Sequence, residues 1–201
     1  MLYAARHGQT TLNVDRRYYG RLDPGLTHLG RQQALDLAQQ LRGLQVDQVI
    51  VSSRRRTQET ATLILQTLDI CPTLRVIPDL DERDFGCWEG LTADEVSQLD
   101  PIQWQHFLAQ PLAATPTAGE AIDTYYQRVE RGYQQLLTYL STDLVTLWIG
   151  HLGTMRTVAK FQQGSRLDFW DIQFQQGIVY VYQGQGHWTA KGTDCQGGAL
   201  C

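Results

Sequence analysis

Two histidines in the chain each follow directly on a short apolar run. His7 comes after the run Leu2 to Ala5, and His151 comes after the run Leu144 to Ile149. If the two runs form neighbouring parallel strands, both imidazoles lie at the sheet edge where ligands bind in open α/β folds. Each histidine alone could equally be an ordinary polar residue at the end of a strand. As a pair, they predict a site that binds a single ligand.

Arginines stand close to both candidate strand ends. Arg6 precedes the first histidine, and Arg54, Arg55 and Arg56 open a predicted helix within "SSRRRTQETA" at 52 to 61. A guanidinium fork and a helix N-terminus both favour a phosphate group. Because neighbours on a helix point about 100° apart, at most one or two of these three arginines can face the ligand. The arrangement predicts a phosphate site, with the remaining arginines in solvent.

A third group of chemically active side chains is the acidic segment "LDERDFGCWEG" at 80 to 90. Acidic residues in such a segment are usually solvated loop residues. A carboxyl that Phe85 and Trp88 bury would instead have a raised pKa, as a general acid at neutral pH requires. The segment therefore offers one candidate proton donor among several carboxyl groups.

These residues require a scaffold of alternating strands and helices. Apolar β-rich runs alternate with helical patterns along most of the chain, which predicts an α/β fold. The predicted strands are Leu2 to Ala5, Asp47 to Val51, Arg75 to Ile77, Leu144 to Ile149 and Ile178 to Tyr182. The predicted helices follow an N-cap at Thr27 as far as Gly43, run from about Arg55 to Leu68, and run from about Glu120 to Leu140.

Length and composition predict one domain over residues 1–201. The chain has 201 residues, of which 42% are hydrophobic and 19% charged, as in a single globular domain with a sizeable core. An irregular stretch at about 86–117 contains Trp88, Trp104 and Phe107, and we expect it to form a cap-like insertion rather than a second domain. Its aromatic residues either shape a leaving-group pocket or belong to the core.

Charge and cysteine content limit the classes of partner. A formal net charge of -4 provides no basic field for nucleic acid, and no apolar run approaches the roughly 20 residues that span a bilayer. Neither a basic leader nor a long apolar run opens the sequence. The four cysteines show no metal-type spacing; these cysteines are Cys71, Cys87, Cys195 and Cys201. We expect a cytoplasmic protein without nucleic-acid or membrane partners, and a homodimer stays open.

Six blocks of the sequence, in order, resemble the histidine phosphatase superfamily, which has the phosphoglycerate-mutase-like fold. The blocks are "RHGQT" at 6 to 10, "GLTHLGRQQA" at 25 to 34, "SSRRRTQETA" at 52 to 61, "LDERDFGCWEG" at 80 to 90, "GEAIDTYYQRV" at 119 to 129 and "GHLGTMR" at 150 to 156. The resemblance covers nearly the whole chain. It implies a three-layer α/β/α sandwich with a mostly parallel central sheet.

The resemblance also implies roles for individual residues. His7 would be the nucleophile that takes the phosphoryl group, and the phosphate oxygens would be held by Arg6, Arg56 and His151. Glu82 would be the proton donor; Asp84 and Glu89, in the same segment, are the alternatives. We expect His7 to attack as a neutral imidazole whose other nitrogen binds a backbone carbonyl near Gly8, and His151 to be protonated.

Further positions match the family at the substrate mouth. They are Gly8, Thr10, Asn13, Arg17, Gly20, Glu120 and Leu152. The chain departs from the family pattern at Tyr19, Arg54 and Leu152. We expect the first two to alter the entrance and the choice of substrate, whereas Leu152 replaces a glycine and leaves the local backbone geometry open.

The implied function is that of a metal-independent phosphatase. It would hydrolyse a small phosphomonoester through a phosphohistidine on His7, with Glu82 as general acid and base and with no cofactor. Length and motif favour the α-ribazole phosphatase or broad-specificity group. The alternatives are a mutase of the phosphoglycerate mutase type and a non-catalytic phosphate-binding or interaction module.

Overall fold

The structure is a computed structural model that describes residues 1–111, 113–163, 169–184 and 187–191. Its centre is a six-stranded sheet with the strand order β3-β2-β4-β1-β5-β6. The strands are β1 (Leu2–Arg6), β2 (Gln48–Val51), β3 (Thr73–Val76), β4 (Thr146–Gly150), β5 (Val179–Tyr182) and β6 (Trp188–Ala190). Each of the five predicted strands is present, with ends shifted by one or two residues.

The sheet is mostly parallel, as expected. Strands β1, β2, β3 and β4 run parallel, and β5 and β6 join antiparallel to one another, with β5 next to β1. In the central pair, Arg6 of β1 lies opposite Gly150 of β4. The residues that follow these two strands are therefore neighbours at the carboxyl edge of the sheet.

Seven α-helices connect or flank the strands in the described part of the chain. They are α1 (Thr11–Val14), α2 (His28–Leu41), α3 (Arg55–Leu68), α4 (Ala93–Leu99), α5 (Pro101–Ala109), α6 (Ile122–Thr138) and α7 (Leu152–Gln163). Thr27 caps α2 as predicted, because its hydroxyl accepts a hydrogen bond from the Gly30 amide. Helix α7 and strand β6 were not predicted.

Alternating side chains of the strands form two separate cores. On one face of the sheet, Ala4, Ile50 and Trp148 pack with apolar residues of α6 and α7. On the other face, Ala5, Val49 and Ile149 pack with apolar residues of α2 and α3. Because successive residues of a strand point to opposite faces, this division produces helix, sheet and helix layers. The predicted three-layer sandwich is confirmed.

The segment at about 86–117 has its own small core. A 3₁₀ turn (Gly86–Trp88) and helices α4 and α5 enclose a cluster of Trp88, Val96, Phe107 and Ala114. Trp104 stacks on Phe107 with ring centroids 5.8 Å apart. That this segment acts as a cap on a single domain stays a prediction.

Two cysteines, Cys71 and Cys87, lie within the described residues, and both are free thiols. Cys195 and Cys201 lie outside the described residues. Among the helices described, none has the length and apolar character to cross a bilayer.

Candidate active site

The ends of β1 and β4 bring His7 and His151 together. The His7 amide donates to the Gly150 carbonyl at 3.0 Å, which extends the pairing of the two strands by one hydrogen bond. The imidazole centroids lie 5.3 Å apart, and both rings are buried, with 3% and 0% of each residue exposed. The two histidines therefore lie side by side, as the sequence predicted.

One nitrogen of His7 is fixed by the backbone. Its Nδ1 lies 2.8 Å from the carbonyl oxygen of Gly8, as expected from the sequence. A carbonyl oxygen can only accept, so Nδ1 carries the hydrogen and Nε2 keeps its lone pair. Burial and the charges of Arg56 and Arg6 hold the pKa of His7 well below its usual range, which keeps the ring neutral.

The burial and the contacts of His151 favour a neutral ring, whereas the protonated form was expected around a bound phosphate. Burial, followed by the charge of Arg56, holds the pKa of His151 well below its usual range. Its Nδ1 accepts a hydrogen bond from Nε of Arg56 at 3.2 Å, and its Nε2 lies 2.8 Å from the Ser52 hydroxyl. Since a guanidinium can only donate, the imidazole hydrogen sits on Nε2 and points to Ser52.

Arg56 is the arginine of the 54–56 group that reaches the site. It is fully buried, and its guanidinium donates to the carbonyls of Gly20 at 3.2 Å and Leu22 at 3.0 Å and to Asp23 at 3.3 Å. Arg54 instead pairs with Asp81 at 3.1 Å. The loop at 20–23 and His151 thus hold the guanidinium in one position beside His7.

A carboxylate of the chain caps the N-terminus of α3. The amide of Arg55, the first residue of the helix, donates to Asp23 Oδ2 at 2.7 Å. This contact occupies one of the donors that the helix end was expected to offer to a phosphate. Phosphate binding by this helix end stays a prediction.

Arg6 has unused hydrogen-bonding capacity at its Nε. This atom is buried and has no hydrogen-bond partner among the described residues, although the side chain lines the same cavity as His7. Burial lowers the pKa of Arg6, and the negative charge of Glu82 opposes that shift. A buried guanidinium nitrogen without a partner is costly, so an anion in the cavity would be stabilised there.

Glu82 lines the same cavity as Arg6 and His7. Its Oε2 accepts the amide of Gly153 at 2.9 Å, and its Oε1 accepts the amide of Arg83 at 3.0 Å. Gly153 is the second residue of α7, where a carboxylate is favoured by the helix dipole. A Cβ on Gly153 would lie 2.5 Å from Oε1, so a glycine is needed to admit the carboxylate here.

The two alternative acids have structural roles. Glu89 accepts the amides of Gly20, Arg21, Leu22 and Phe85 at 2.8 to 3.0 Å, and so organises the loop behind Arg56. Asp84 accepts the Gly86 amide at 2.9 Å. Neither lines the cavity that contains His7, whereas Glu82 does.

Asn13 is held with its amide nitrogen toward the cavity that it lines. Its Oδ1 accepts the Thr10 amide at 3.1 Å and Gln176 Nε2 at 3.1 Å. The exchange between Asn13 and Thr10 is the capping box of α1. Because these partners can only donate, they fix Oδ1 as the acceptor and leave the NH₂ group for a ligand.

The remaining predicted substrate-binding residues divide between the cavity wall and its support. Arg17 lines the cavity, but its guanidinium is bonded to the Gly90 carbonyl and to Glu95, both at 2.7 Å. Leu152 lines it as the first residue of α7, so no left-handed backbone is required there.

The predicted glycines lie behind the cavity wall. A Cβ on Gly8 would lie 2.3 Å from the Gly30 carbonyl oxygen, and one on Gly20 would lie 1.6 Å from that of Arg83. They permit close backbone approach and do not line the cavity. Glu120, which also matched the family, is bonded to Arg128 at 2.8 Å.

The cavity has a volume of about 300 Å³ and extends from His7, which lines it, toward the 86–117 segment; His151 lies behind its wall. Beyond the end that contains His7, its walls are largely aromatic. Tyr19 and Phe85 had roles assigned from the sequence, and the other wall residues of this part did not, namely Tyr18, Tyr125, Tyr126, Phe169 and Trp170. Phe107 also lines it, whereas Trp88 is buried in the adjacent core.

Two further arginines of the cavity were also not assigned from the sequence. Arg83 donates to the carbonyls of Ala114 and Glu120, and Arg156 donates to the carbonyl of Ile172 at 2.6 Å. The only available signal was that both lie within the quoted family blocks. In the described ranges, no group of three or more His, Cys, Asp or Glu residues is arranged to hold a metal ion.

A mostly parallel α/β sandwich with paired histidines and arginines at its sheet edge has the phosphoglycerate-mutase-like fold. The sequence profile of the histidine phosphatase superfamily (branch 1) matches residues 2–193. The chain belongs to this superfamily.

Individual relatives agree with this assignment. The chain is 32% identical over 160 residues to an adenosylcobalamin/alpha-ribazole phosphatase of Escherichia coli. The matched region covers 75% of this chain and 78% of the relative. The crystal structure of the alpha-ribazole phosphatase from Shigella flexneri matches with a TM-score of 0.82 at 30% identity, covering 94% of this chain and 93% of the other.

A longer relative matches only in part. A bifunctional protein of Mycobacterium tuberculosis is 38% identical over 137 residues, which cover 68% of this chain but 37% of that protein. The chain therefore spans little more than a third of the length of this relative.

Proposed function

We propose that the protein is a metal-independent phosphatase that hydrolyses a small phosphomonoester through a phosphohistidine on His7. The observation that carries this proposal is the state of His7: a buried, neutral imidazole whose Nδ1 is bonded to Gly8 and whose Nε2 keeps its lone pair, in a cavity that Glu82, Arg6 and Arg56 also line. Such a nitrogen is a nucleophile that needs no prior deprotonation.

In the first half-reaction, Nε2 attacks phosphorus in line with the ester oxygen. The N–P bond forms as the P–O bond breaks, and Glu82 in its protonated form gives a proton to the departing alkoxide. In the second half-reaction, the Glu82 carboxylate takes a proton from water, whose oxygen attacks phosphorus and releases His7. One carboxyl group serves both steps.

The phosphate oxygens would be held by Arg6, Arg56 and the amide of Asn13. Charge-assisted hydrogen bonds from these groups stabilise the charge that develops in the transition state, which is the task a metal ion performs elsewhere. His151 positions Arg56 through its Nδ1. A bound phosphate dianion would also raise the pKa of His151, since an opposite charge favours the protonated ring.

The alcohol half of the substrate would occupy the aromatic part of the cavity. Tyr18, Phe107 and Trp170 are three of its wall residues, and rings of this kind favour a flat or ring-bearing alcohol over a flexible, polar one. Alpha-ribazole phosphate has an alcohol of this kind, and alpha-ribazole is the substrate part that the names of the phosphatase relatives give. A ranking of kcat/KM over a panel of phosphomonoesters, including alpha-ribazole phosphate, phosphoserine, sugar phosphates and nucleotides, tests this choice.

The test of the reaction itself is hydrolysis of p-nitrophenyl phosphate in the presence of EDTA. We expect turnover in wild type and its loss in His7→Ala. Glu82→Gln should slow hydrolysis of β-glycerophosphate by on the order of 10²-fold. With p-nitrophenyl phosphate it should spare the first half-reaction, because the nitrophenolate leaves without a proton, and slow the later attack of water. Activity that needs a metal ion, or that survives His7→Ala, contradicts the proposal.

Two alternatives make different predictions. A mutase would transfer the phosphoryl group to 3-phosphoglycerate faster than to water, and a non-catalytic module would bind phosphate without turnover. The retention of both His7 and Glu82 in one cavity favours turnover over simple binding. Product analysis with 3-phosphoglycerate present separates all three.

A further inference from the structure

Tyr19 occupies a position that its sequence context did not predict. Expected at the entrance, it is buried, with 8% of the residue exposed, and its ring centroid lies 6.5 Å from that of His7. It therefore lies inside the site, next to the groups that would hold the phosphate. Burial raises the pKa of Tyr19, so its hydroxyl remains protonated and can donate a hydrogen bond.

The hydroxyl of Tyr19 acts on Asn13. It donates to Asn13 Oδ1 at 2.9 Å and lies 2.7 Å from the Thr10 hydroxyl, which can donate to it in turn. Together with Thr10 and Gln176, Tyr19 saturates the amide oxygen of Asn13 with donors. The amide cannot rotate by 180° without facing these donors with its own N–H groups, so the NH₂ group is kept toward the cavity.

The ring of Tyr19 acts on Arg56. The guanidinium carbon lies 4.7 Å from the ring centroid, within the range of a cation–π contact. The same guanidinium also donates hydrogen bonds to His151 and to the loop carbonyls of Gly20 and Leu22. One side chain thus touches two of the groups to which the proposed function assigns phosphate binding.

We propose that Tyr19 is a positioning residue that sets the phosphate-binding geometry of this site, its hydroxyl orienting the Asn13 amide and its ring supporting the Arg56 guanidinium. The inference rests on the proposed function for the identity of the ligand, an inorganic or esterified phosphate. It assigns no proton transfer and no contact with the reacting atoms to Tyr19. Its effect is on phosphate affinity in the ground state and the transition state alike.

The test is the dissociation constant of orthophosphate, measured by calorimetry on the full chain. Tyr19→Phe removes the hydroxyl and keeps the ring, and we expect a three- to tenfold weaker constant, the usual scale for one hydrogen bond. Tyr19→Leu removes both contacts and should weaken binding further. With p-nitrophenyl phosphate, Tyr19→Phe should raise KM by a similar factor and change kcat by less, as loss of uniform binding requires.

A double-mutant cycle distinguishes positioning from general disruption. In an Asn13→Ala background, Tyr19→Phe should have no further effect on phosphate affinity, because the group it orients is gone. Tyr139→Phe is the matched control: it also removes one hydroxyl and keeps a ring over a guanidinium, that of Arg75, but Tyr139 does not line the cavity, and the variant should bind phosphate as wild type does. Thermal melting of each variant confirms that it is folded.

Three results would overturn the inference. They are an unchanged dissociation constant in Tyr19→Phe, an equal loss with and without Asn13, or a wild-type protein that binds no orthophosphate. Binding does not depend on turnover, so a chain that binds phosphate without hydrolysing esters contradicts the proposed phosphatase activity and still tests Tyr19.

Discussion

Gly153→Ala is the substitution whose effect follows most directly from the geometry around Glu82. The added Cβ would lie 2.5 Å from Glu82 Oε1 and 3.1 Å from Cδ, closer than carbon and oxygen can approach. The nearest atoms belong to the end of a flexible side chain, so the carboxylate moves while the helix stays in place. The substitution therefore displaces the proposed general acid without removing it.

The size of the effect follows from that displacement. Oε1 must retreat by about 0.9 Å to reach an ordinary contact, and misplacement of a catalytic group by about 1 Å costs up to about 10²-fold in rate. We expect kcat for β-glycerophosphate to fall 10- to 100-fold, which corresponds to about 1.4–2.7 kcal/mol in activation free energy. Stability should not fall, because alanine is a better helix former than glycine.

Steady-state kinetics and thermal melting of Gly153→Ala, Glu82→Gln and the double variant test this reasoning. If the alanine acts only through the carboxylate position, it should add little to the loss already caused by Glu82→Gln. A wild-type rate in Gly153→Ala refutes the account of Glu82. So does a Gly153→Ala effect that is as large in the Glu82→Gln background as in wild type.

Two further predictions concern stability. Because burial keeps His7 and His151 neutral in the folded state, the unfolded chain binds protons that the folded chain does not as pH falls below about 6.5, and the free energy of unfolding should decrease there. Urea titrations between pH 7 and pH 5 measure how steeply the free energy of unfolding changes with pH. We expect His7→Gln to reduce this slope by up to about 1.4 kcal/mol per pH unit, and a slope equal to that of wild type contradicts neutral burial. Gly20→Ala would place a Cβ 1.6 Å from the Arg83 carbonyl oxygen and should destabilise the fold by about 3 kcal/mol or more in the same titration, whereas an unchanged midpoint contradicts this packing.

Local patterns in the sequence predicted the scaffold well. Helix α3 matches its predicted bounds, Arg55–Leu68, because a buried strand precedes it and its apolar residues keep helical spacing. Parallel pairing of β1 with β4 then places the two histidines side by side, as the pattern of strand ends indicated. The ends of α6 were less accurate, since helix ends depend on caps and on packing around them.

Contacts between distant segments could not be read from the sequence. Tyr19 was expected at the entrance, but the fold turns it toward His7 and Arg56. Asp23 caps α3 from a separate loop and occupies the amide of Arg55 at the helix end. The neutral state of His151 likewise depends on burial and on the neighbouring Arg56, which only the assembled site provides.

The most direct test of the central claim is to trap the phosphoenzyme. Glu82→Gln should be phosphorylated rapidly by p-nitrophenyl phosphate, because that leaving group needs no proton, and should lose the phosphoryl group slowly, because water is no longer activated. Rapid quenching at high pH, peptide mapping and phosphorus NMR should place the phosphoryl group on Nε2 of His7. A phosphoryl group on Nδ1 or on another residue, or turnover with no phosphoenzyme at any time, would contradict the mechanism.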